Sequence, residues 1–261
     1  MHETRYMDKA NILVVNDDGI TAPGIQALIE VASKLGNIFV MAPDKPQSGQ
    51  GHAITIHDPI KARLVDHYEG IQAYECSGTP VDCVKIARHV YFPDVKFDLC
   101  VSGINHGSNA AINIIYSGTM SAAMEASLAG IPSIGFSLLD VSHGADFTAS
   151  KAYAKKIIEF SLNHSFQNSK LLNVNIPNLP LEDIKGMKVC KQGKSGWSEE
   201  FIEAKDPRGK PYYWMAGAFV LHEESPDSDI NALDNGYVSI VPSMHDLTAY
   251  PAIEELKQLN S

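Results

Sequence analysis

The stretch that most constrains this chain is Asn11–Gly24, NILVVNDDGITAPG. Its apolar run Ile12-Leu13-Val14-Val15 has the length and composition of a strand buried on both faces. The run breaks at Asn16-Asp17-Asp18-Gly19. Past Pro23 and Gly24 the apolar spacing becomes that of a helix face, at Ile25, Leu28, Ile29, Ala32 and Leu35. Strand, loop and helix in this order make the first half of a βαβ unit. An open parallel sheet binds ligands beyond the carboxyl ends of its strands, which is where Asp17 and Asp18 then lie. Two adjacent carboxylates there repel each other unless a cation sits between them. Hard oxygen ligands suit a hard divalent ion such as Mg²⁺ or Mn²⁺. A plainer reading stands beside this one, with one aspartate capping the next helix and the other solvated.

The alternation continues along the chain. Asn37–Ala42 reads as a second strand, ending in an irregular loop from Pro43 to His52. Ala53–Ile56 and Ile60–Val65 read as short strands forming a hairpin. A helix is expected from Pro80 to about Tyr91, with proline at its start. Further strands follow at Phe97–Ser102, Pro132–Ser137 and Leu171–Ile176, separated by helices at Met120–Ala129 and Phe147–Leu162. This pattern predicts an α/β chain with a three-layer α/β/α Rossmann-like core and a mostly parallel sheet. After Pro177 the character changes. Two short alternating segments, Lys188–Gly193 and Tyr212–Gly217, flank a polar stretch and suggest a protruding hairpin or arm. Gly236–Val241 reads as a strand able to rejoin the sheet, and Ile253–Leu259 as a terminal helix. The chain therefore divides into a core, 1–187, and a carboxyl-terminal part, 188–261.

A formal charge of −10 over 261 residues excludes a broad surface for duplex nucleic acid, which needs a basic face. It leaves room for a small anion held through a metal. No run approaches the ~20 apolar residues of a membrane span, and MHETRYMDKA has no apolar leader core. Cys76, Cys83, Cys100 and Cys190 lack metal-site spacing and read as free thiols, as in a cytoplasmic protein.

Three polar loops now stand at strand ends: Asn16-Asp17-Asp18-Gly19, Ser48-Gly49 and Ser102-Gly103-Ile104-Asn105. Two aspartates, a serine hydroxyl and an asparagine carbonyl oxygen are all hard donors, and with water they fill an octahedral shell. Only two of them carry charge, so a bound ion keeps positive charge for a phosphate.

With these loops in place the chain resembles the survival protein SurE family of metal-dependent nucleoside-monophosphate phosphatases. The resemblance rests on NDDG at Asn16–Gly19, the Ala42–Thr55 loop, SGTPVDCV at Ser77–Val84, SGINHGSN at Ser102–Asn109 and YSGTMSAAMEA at Tyr116–Ala126. It implies one divalent ion (Mg²⁺ or Mn²⁺) per subunit, held by Asp17, Asp18, Ser48 and Asn105. It implies 5′- and 3′-nucleotidase activity, with exopolyphosphatase activity in some members. It also implies homodimers or homotetramers built by exchange of the carboxyl-terminal part. Asn109 and Ser117 match family positions that contact the scissile phosphate, and the backbone at Gly118-Thr119 would add donors. Where some members carry asparagine, this chain has His52.

Each of these residues also has a local reading. Ser48 could bond its own backbone, Asn105 could close an Asx turn, and Ser117 could cap the following helix. His52 and His106 receive no role, and Asp17 could serve as base or as ligand only. Of the rival functions, a Mg²⁺-binding receiver-type signalling domain is about half this length. A dinucleotide-dependent oxidoreductase needs Gly-x-Gly-x-x-Gly where this chain has Asn16–Thr21.

Overall fold

The computed structural model describes residues 9–142, 144–164 and 166–260. Residues 1–8, most of the segment read as lacking a leader core, lie outside them. The elements run β1 (Asn11–Val15), α1 (Pro23–Ala32), β2 (Asn37–Pro43), β3 (Ala62–Val65), β4 (Ala73–Cys76), α2 (Pro80–Ile86), β5 (Leu99–His106), α3 (Gly118–Leu128), β6 (Ser133–Leu138), α4 (Thr148–Asn163) and β7 (Leu171–Ile176). They continue with β8 (Met187–Val189), β9 (Lys194–Lys205), β10 (Pro211–Glu223), α5 (Asp229–Asp234), β11 (Val238–Ser243) and α6 (Tyr250–Leu256).

Nine strands form one sheet in the order β3-β4-β2-β1-β5-β6-β7-β11-β8. All pairings are parallel except β3 with β4 and β11 with β7. Alternation along β1 supplies both covering layers. Ile12 and Val14 pack on one face with Ile25 and Leu28 of α1 and Ile157 and Ile158 of α4. Leu13 and Val15 pack on the other with Cys83 and Val84 of α2 and Ala122 and Ala126 of α3. Each such fully buried aliphatic side chain is worth about 1.5–3 kcal/mol. Gly24 lets α1 press onto β5, since a Cβ there would lie 1.9 Å from the Ile104 carbonyl oxygen. The expected three-layer fold is therefore present.

Three local expectations change. Ala53–Ile56 is not a strand, because its backbone bonds to the cap of α2 instead. The Thr79 hydroxyl donates to the Ala53 carbonyl at 2.8 Å, and the Thr55 N–H donates to the Asp82 carboxylate at 3.1 Å. The partner of β3 is β4, in antiparallel register. The expected arm is present as a long hairpin whose strands β9 and β10 pair only with each other among the described residues, with Tyr212–Gly217 inside β10, but part of the Lys188–Gly193 segment belongs to β8 in the main sheet. Both faces of β9 are largely exposed, so no apolar alternation marks it. The 187/188 boundary falls inside β8, and β8 and β11 extend the sheet past it. Cys76, Cys83 and Cys100 are buried free thiols, and Cys190 is free and half-buried. Among the described residues no helix is long and apolar enough to cross a membrane.

Candidate active site

The chain leaves β1 for β2 and β4 on one side and returns to β5, β6 and β7 on the other, so the sheet switches direction between β1 and β5. Such a switch point leaves a crevice beyond the strand ends. Asp17 follows β1 there. Asn105 lies within β5, which runs through His106 rather than stopping at Ser102. The loops are tied to one another by backbone bonds. The Gln47 N–H donates to the Asp17 carbonyl at 2.8 Å, Ile20 N–H to Pro43 at 2.9 Å, and Gly51 N–H to Tyr116 at 3.1 Å. Asp17, Ser48, Asn105, Asn109 and Ser117 thereby line one cavity of about 560 Å³. Asp18 stands beside it, its Oδ2 3.4 Å from both the backbone nitrogen and Nδ1 of His106, a lining residue.

Asp17 is the electrostatic centre. It is buried, and its carboxyl is pushed up to about 6, first by loss of water and then by the Asp18 charge. The Thr119 hydroxyl donates to Asp17 Oδ1 and opposes this rise, and among the described residues no lysine or arginine forms an ion pair with the group. Thr119 is fully buried, so its side chain serves Asp17 rather than a substrate. Gly118 leaves room for the same carboxylate, because a Cβ there would lie 2.7 Å from Asp17 Cβ and 2.9 Å from Oδ2.

The other predicted residues divide by what their atoms already bond. Asn105 Nδ2 donates to the carbonyls of His106 at 3.3 Å and Gly107 at 2.7 Å, which leaves its amide oxygen as the atom able to bind elsewhere. Ser117 caps α3, which begins at Gly118 rather than Met120, and its Oγ accepts from the Met120 N–H at 3.0 Å. The hydroxyl proton remains free to donate. The first turn of α3 also presents N–H groups of the kind that hold anions. Asn109 Nδ2 donates to Ser137 Oγ at 2.8 Å, its N–H donates to Asn175 Oδ1 at 2.8 Å, and its carbonyl accepts from Asn173 Nδ2 at 2.8 Å. His52 pairs with Glu125 at 3.1 Å, and Glu125 also bonds Lys85 at 2.5 Å. Although burial opposes it, those two partners hold the Glu125 carboxyl below its usual range.

Several supporting residues escaped the sequence reading. Asn173 and Asn175 are buried on β7, where LLNVNI carries asparagine at alternate positions of an otherwise apolar strand. A buried amide needs partners, and that was the available signal. Asp229 is fully buried and accepts backbone N–H bonds from Ala111 at 2.8 Å, Gly193 at 2.9 Å and Ile230 at 2.8 Å. It joins the loop carrying Asn109 and Ser117 to the base of the hairpin. Trp197, Glu199 and Met215 of the hairpin line the cavity too, and no sequence signal connects them to it.

Fold and site together define an open-sheet α/β protein with an acidic, oxygen-rich cavity at the switch point of its sheet. Comparison with known proteins is consistent throughout. The family model described as Survival protein SurE matches residues 12–199, and the chain belongs to this family. It is 52% identical over 251 residues to 5′-nucleotidase SurE of Flavobacterium psychrophilum, covering 96% of this chain and 97% of that protein. It is 54% identical over 250 residues to 5′-nucleotidase SurE of Christiangramia forsetii, covering 95% and 96%. The crystal structure of the SurE protein from Aquifex aeolicus superposes with a TM-score of 0.83 at 41% identity, over 96% of this chain and 100% of that one.

Proposed function

We propose that the chain is a 5′-nucleotidase, a phosphomonoesterase that hydrolyses nucleoside monophosphates to nucleoside and phosphate with the help of a divalent metal ion. The observation that carries the metal is Asp17, a buried carboxylate beside a second carboxylate; among the described residues no lysine or arginine forms an ion pair with either, and His106 alone approaches Asp18. That arrangement fits a hard cation. So does the donor set: two carboxylates, the Ser48 hydroxyl and the free amide oxygen of Asn105. When bound, the ion supplies Lewis acidity toward a phosphoryl oxygen and acidifies a coordinated water.

The remaining work falls to the chain. Thr119 and Gly118 fix the rotamer of Asp17, and His106 restrains Asp18. Ser117, already accepting from Met120, directs its proton into the cavity toward an equatorial phosphoryl oxygen. Asn109 is held rigid by Ser137, Asn173 and Asn175 and offers its amide to the same oxygens. Preorganised donors of this kind stabilise charge as it spreads in the transition state. The same cavity would accept a 3′-monophosphate or a polyphosphate end, both of which present a terminal phosphoryl group. The exposed side chains of the hairpin and tail, among them Phe201, Trp214, Leu247 and Leu259, support assembly into a homodimer or homotetramer through residues 188–261.

Phosphate release from AMP tests the reading. Chelator-treated protein should be inactive and should recover with Mg²⁺ or Mn²⁺. Full activity without metal would remove the ion from the reaction. Metal binding with no turnover on any nucleotide would favour a receiver-type domain.

A further inference from the structure

A nucleoside monophosphate has two unlike ends, and the residues named so far account for one of them. The same cavity has a second wall, built by the hairpin from Trp197, Glu199, Met215, Ala216 and Gly217. We infer that the Trp197 indole is the platform on which the nucleobase of the substrate stacks. The inference rests on the nucleotidase reading and adds to it the group that recognises the base.

Four observations support the assignment. Trp197 lines the cavity while remaining 47% exposed, so it is not a core residue. Its indole N–H donates to Asn113 Oδ1 at 3.0 Å, and Phe219 meets it edge-on at 5.9 Å, so the ring is held in place. Asn113 lies between Asn109 and Ser117, which links the platform directly to the phosphate end. The root of β9 is anchored to the same loop, since the Ile112 N–H donates to Ser195 Oγ at 3.2 Å and Asp229 joins Ala111 to Gly193. Both polar ends of the Asn113 side chain are occupied, because its Nδ2 donates to the Ser108 carbonyl at 3.3 Å. Apart from the Glu199 carboxylate, what this wall offers a base is therefore mainly a flat, half-exposed aromatic face. A fixed indole suits that task, because every nucleobase has a π-face and a rigid ring loses little entropy on binding.

The test separates the two ends of the substrate through the two products. In Trp197→Ala, KM for AMP and the inhibition constant of adenosine should both rise roughly tenfold or more. kcat and the inhibition constant of inorganic phosphate should stay within about twofold, the pattern of lost ground-state binding. Trp197→Phe keeps an aromatic face and loses the bond to Asn113, and it should retain most of the affinity. The chain has two tryptophans, so Trp214→Phe leaves Trp197 as the only one. Adenosine should quench that protein's fluorescence and leave Trp197→Phe unquenched. Unchanged adenosine inhibition in Trp197→Ala overturns the assignment. So does an equal weakening of phosphate, or a Trp197→Phe variant as impaired as Trp197→Ala, since either would assign the effect to loop positioning. Parent protein that binds metal and releases no phosphate from AMP would overturn the nucleotidase reading instead.

Discussion

Replacing Asp17 with asparagine should stabilise the metal-free protein and abolish its function. In the folded state the Asp17 carboxyl titrates at about 6 against an ordinary 3.8, because burial and the Asp18 charge disfavour its ionised form. A displacement of about two decades is worth about 3 kcal/mol. The native state therefore binds this proton more tightly than the unfolded chain does. Stability attributable to Asp17 rises as pH falls from above 6 to below 4, and above about pH 7 the full penalty is present. Asp17→Asn removes the penalty, a figure that already includes the opposing bond from Thr119. The gain near pH 8 is therefore about 3 kcal/mol, or roughly 6–12 °C in melting temperature for a chain of this size. The assay is thermal or urea unfolding of chelator-treated parent and variant across the range from about pH 8 to pH 4. The difference between the two proteins isolates Asp17, because carboxylates with lowered values, such as Glu125 and Asp246, act alike in both. The advantage of the variant should shrink on acidification and vanish below about pH 4. Added Mg²⁺ should then reverse the order at pH 8, since ligand at roughly a thousandfold its Kd stabilises the parent by about 4 kcal/mol. A difference independent of pH would refute the claim that Asp17 is a strained, uncompensated charge.

Four further outcomes are expected. Asn109→Ala and Ser117→Ala should each lower turnover on AMP by roughly 10²–10³-fold with metal affinity retained, as for deletion of a preorganised donor; Ser117→Ala should also lose about 1 kcal/mol as a cap, and a lowered melting point with normal turnover would leave Ser117 as a cap alone. Gly118→Ala should stay folded yet lose metal affinity in calorimetric titration, because its Cβ displaces the Asp17 carboxylate; unchanged affinity would show that the carboxylate has other room. Asp229→Ala leaves buried N–H groups of Ala111 and Gly193 unpaired, and should cost about 3 kcal/mol in urea unfolding and depress kcat more than Trp197→Ala does. Truncation from Leu247 onward should change the mass seen by light scattering, since α6 buries none of its side chains within its own chain; a folded truncate with the mass of the parent would place assembly elsewhere.

Local sequence was enough for whatever depends on chain neighbours. The strand–loop–helix run at Asn11–Gly24, the βα alternation to Ile176 and the gathering of Asp17, Ser48 and Asn105 at one sheet edge all follow from periodicity and from the geometry of parallel strands. The cap at Ser117 follows from its own N-terminal signal. Tertiary structure decided everything set by which distant backbone group lies opposite. Ala53–Ile56 has the composition of a strand, but Thr79 and Asp82 claim its hydrogen bonds. The Thr119 hydroxyl is spent on Asp17, about a hundred residues away in sequence and in contact only because α3 packs against β5, the neighbour of β1. Asn173, Asn175 and Asp229 act through buried bonds to the loop between Asn109 and Ser117, and a polar residue in sequence does not say whether its partner will be water. The hairpin is the limiting case. Alternation at Tyr212–Gly217 marked part of β10, but β9 is exposed on both faces and carries no periodic signal, and only the register of the two strands sets Trp197 and Met215 against a cavity whose other wall was legible from the start.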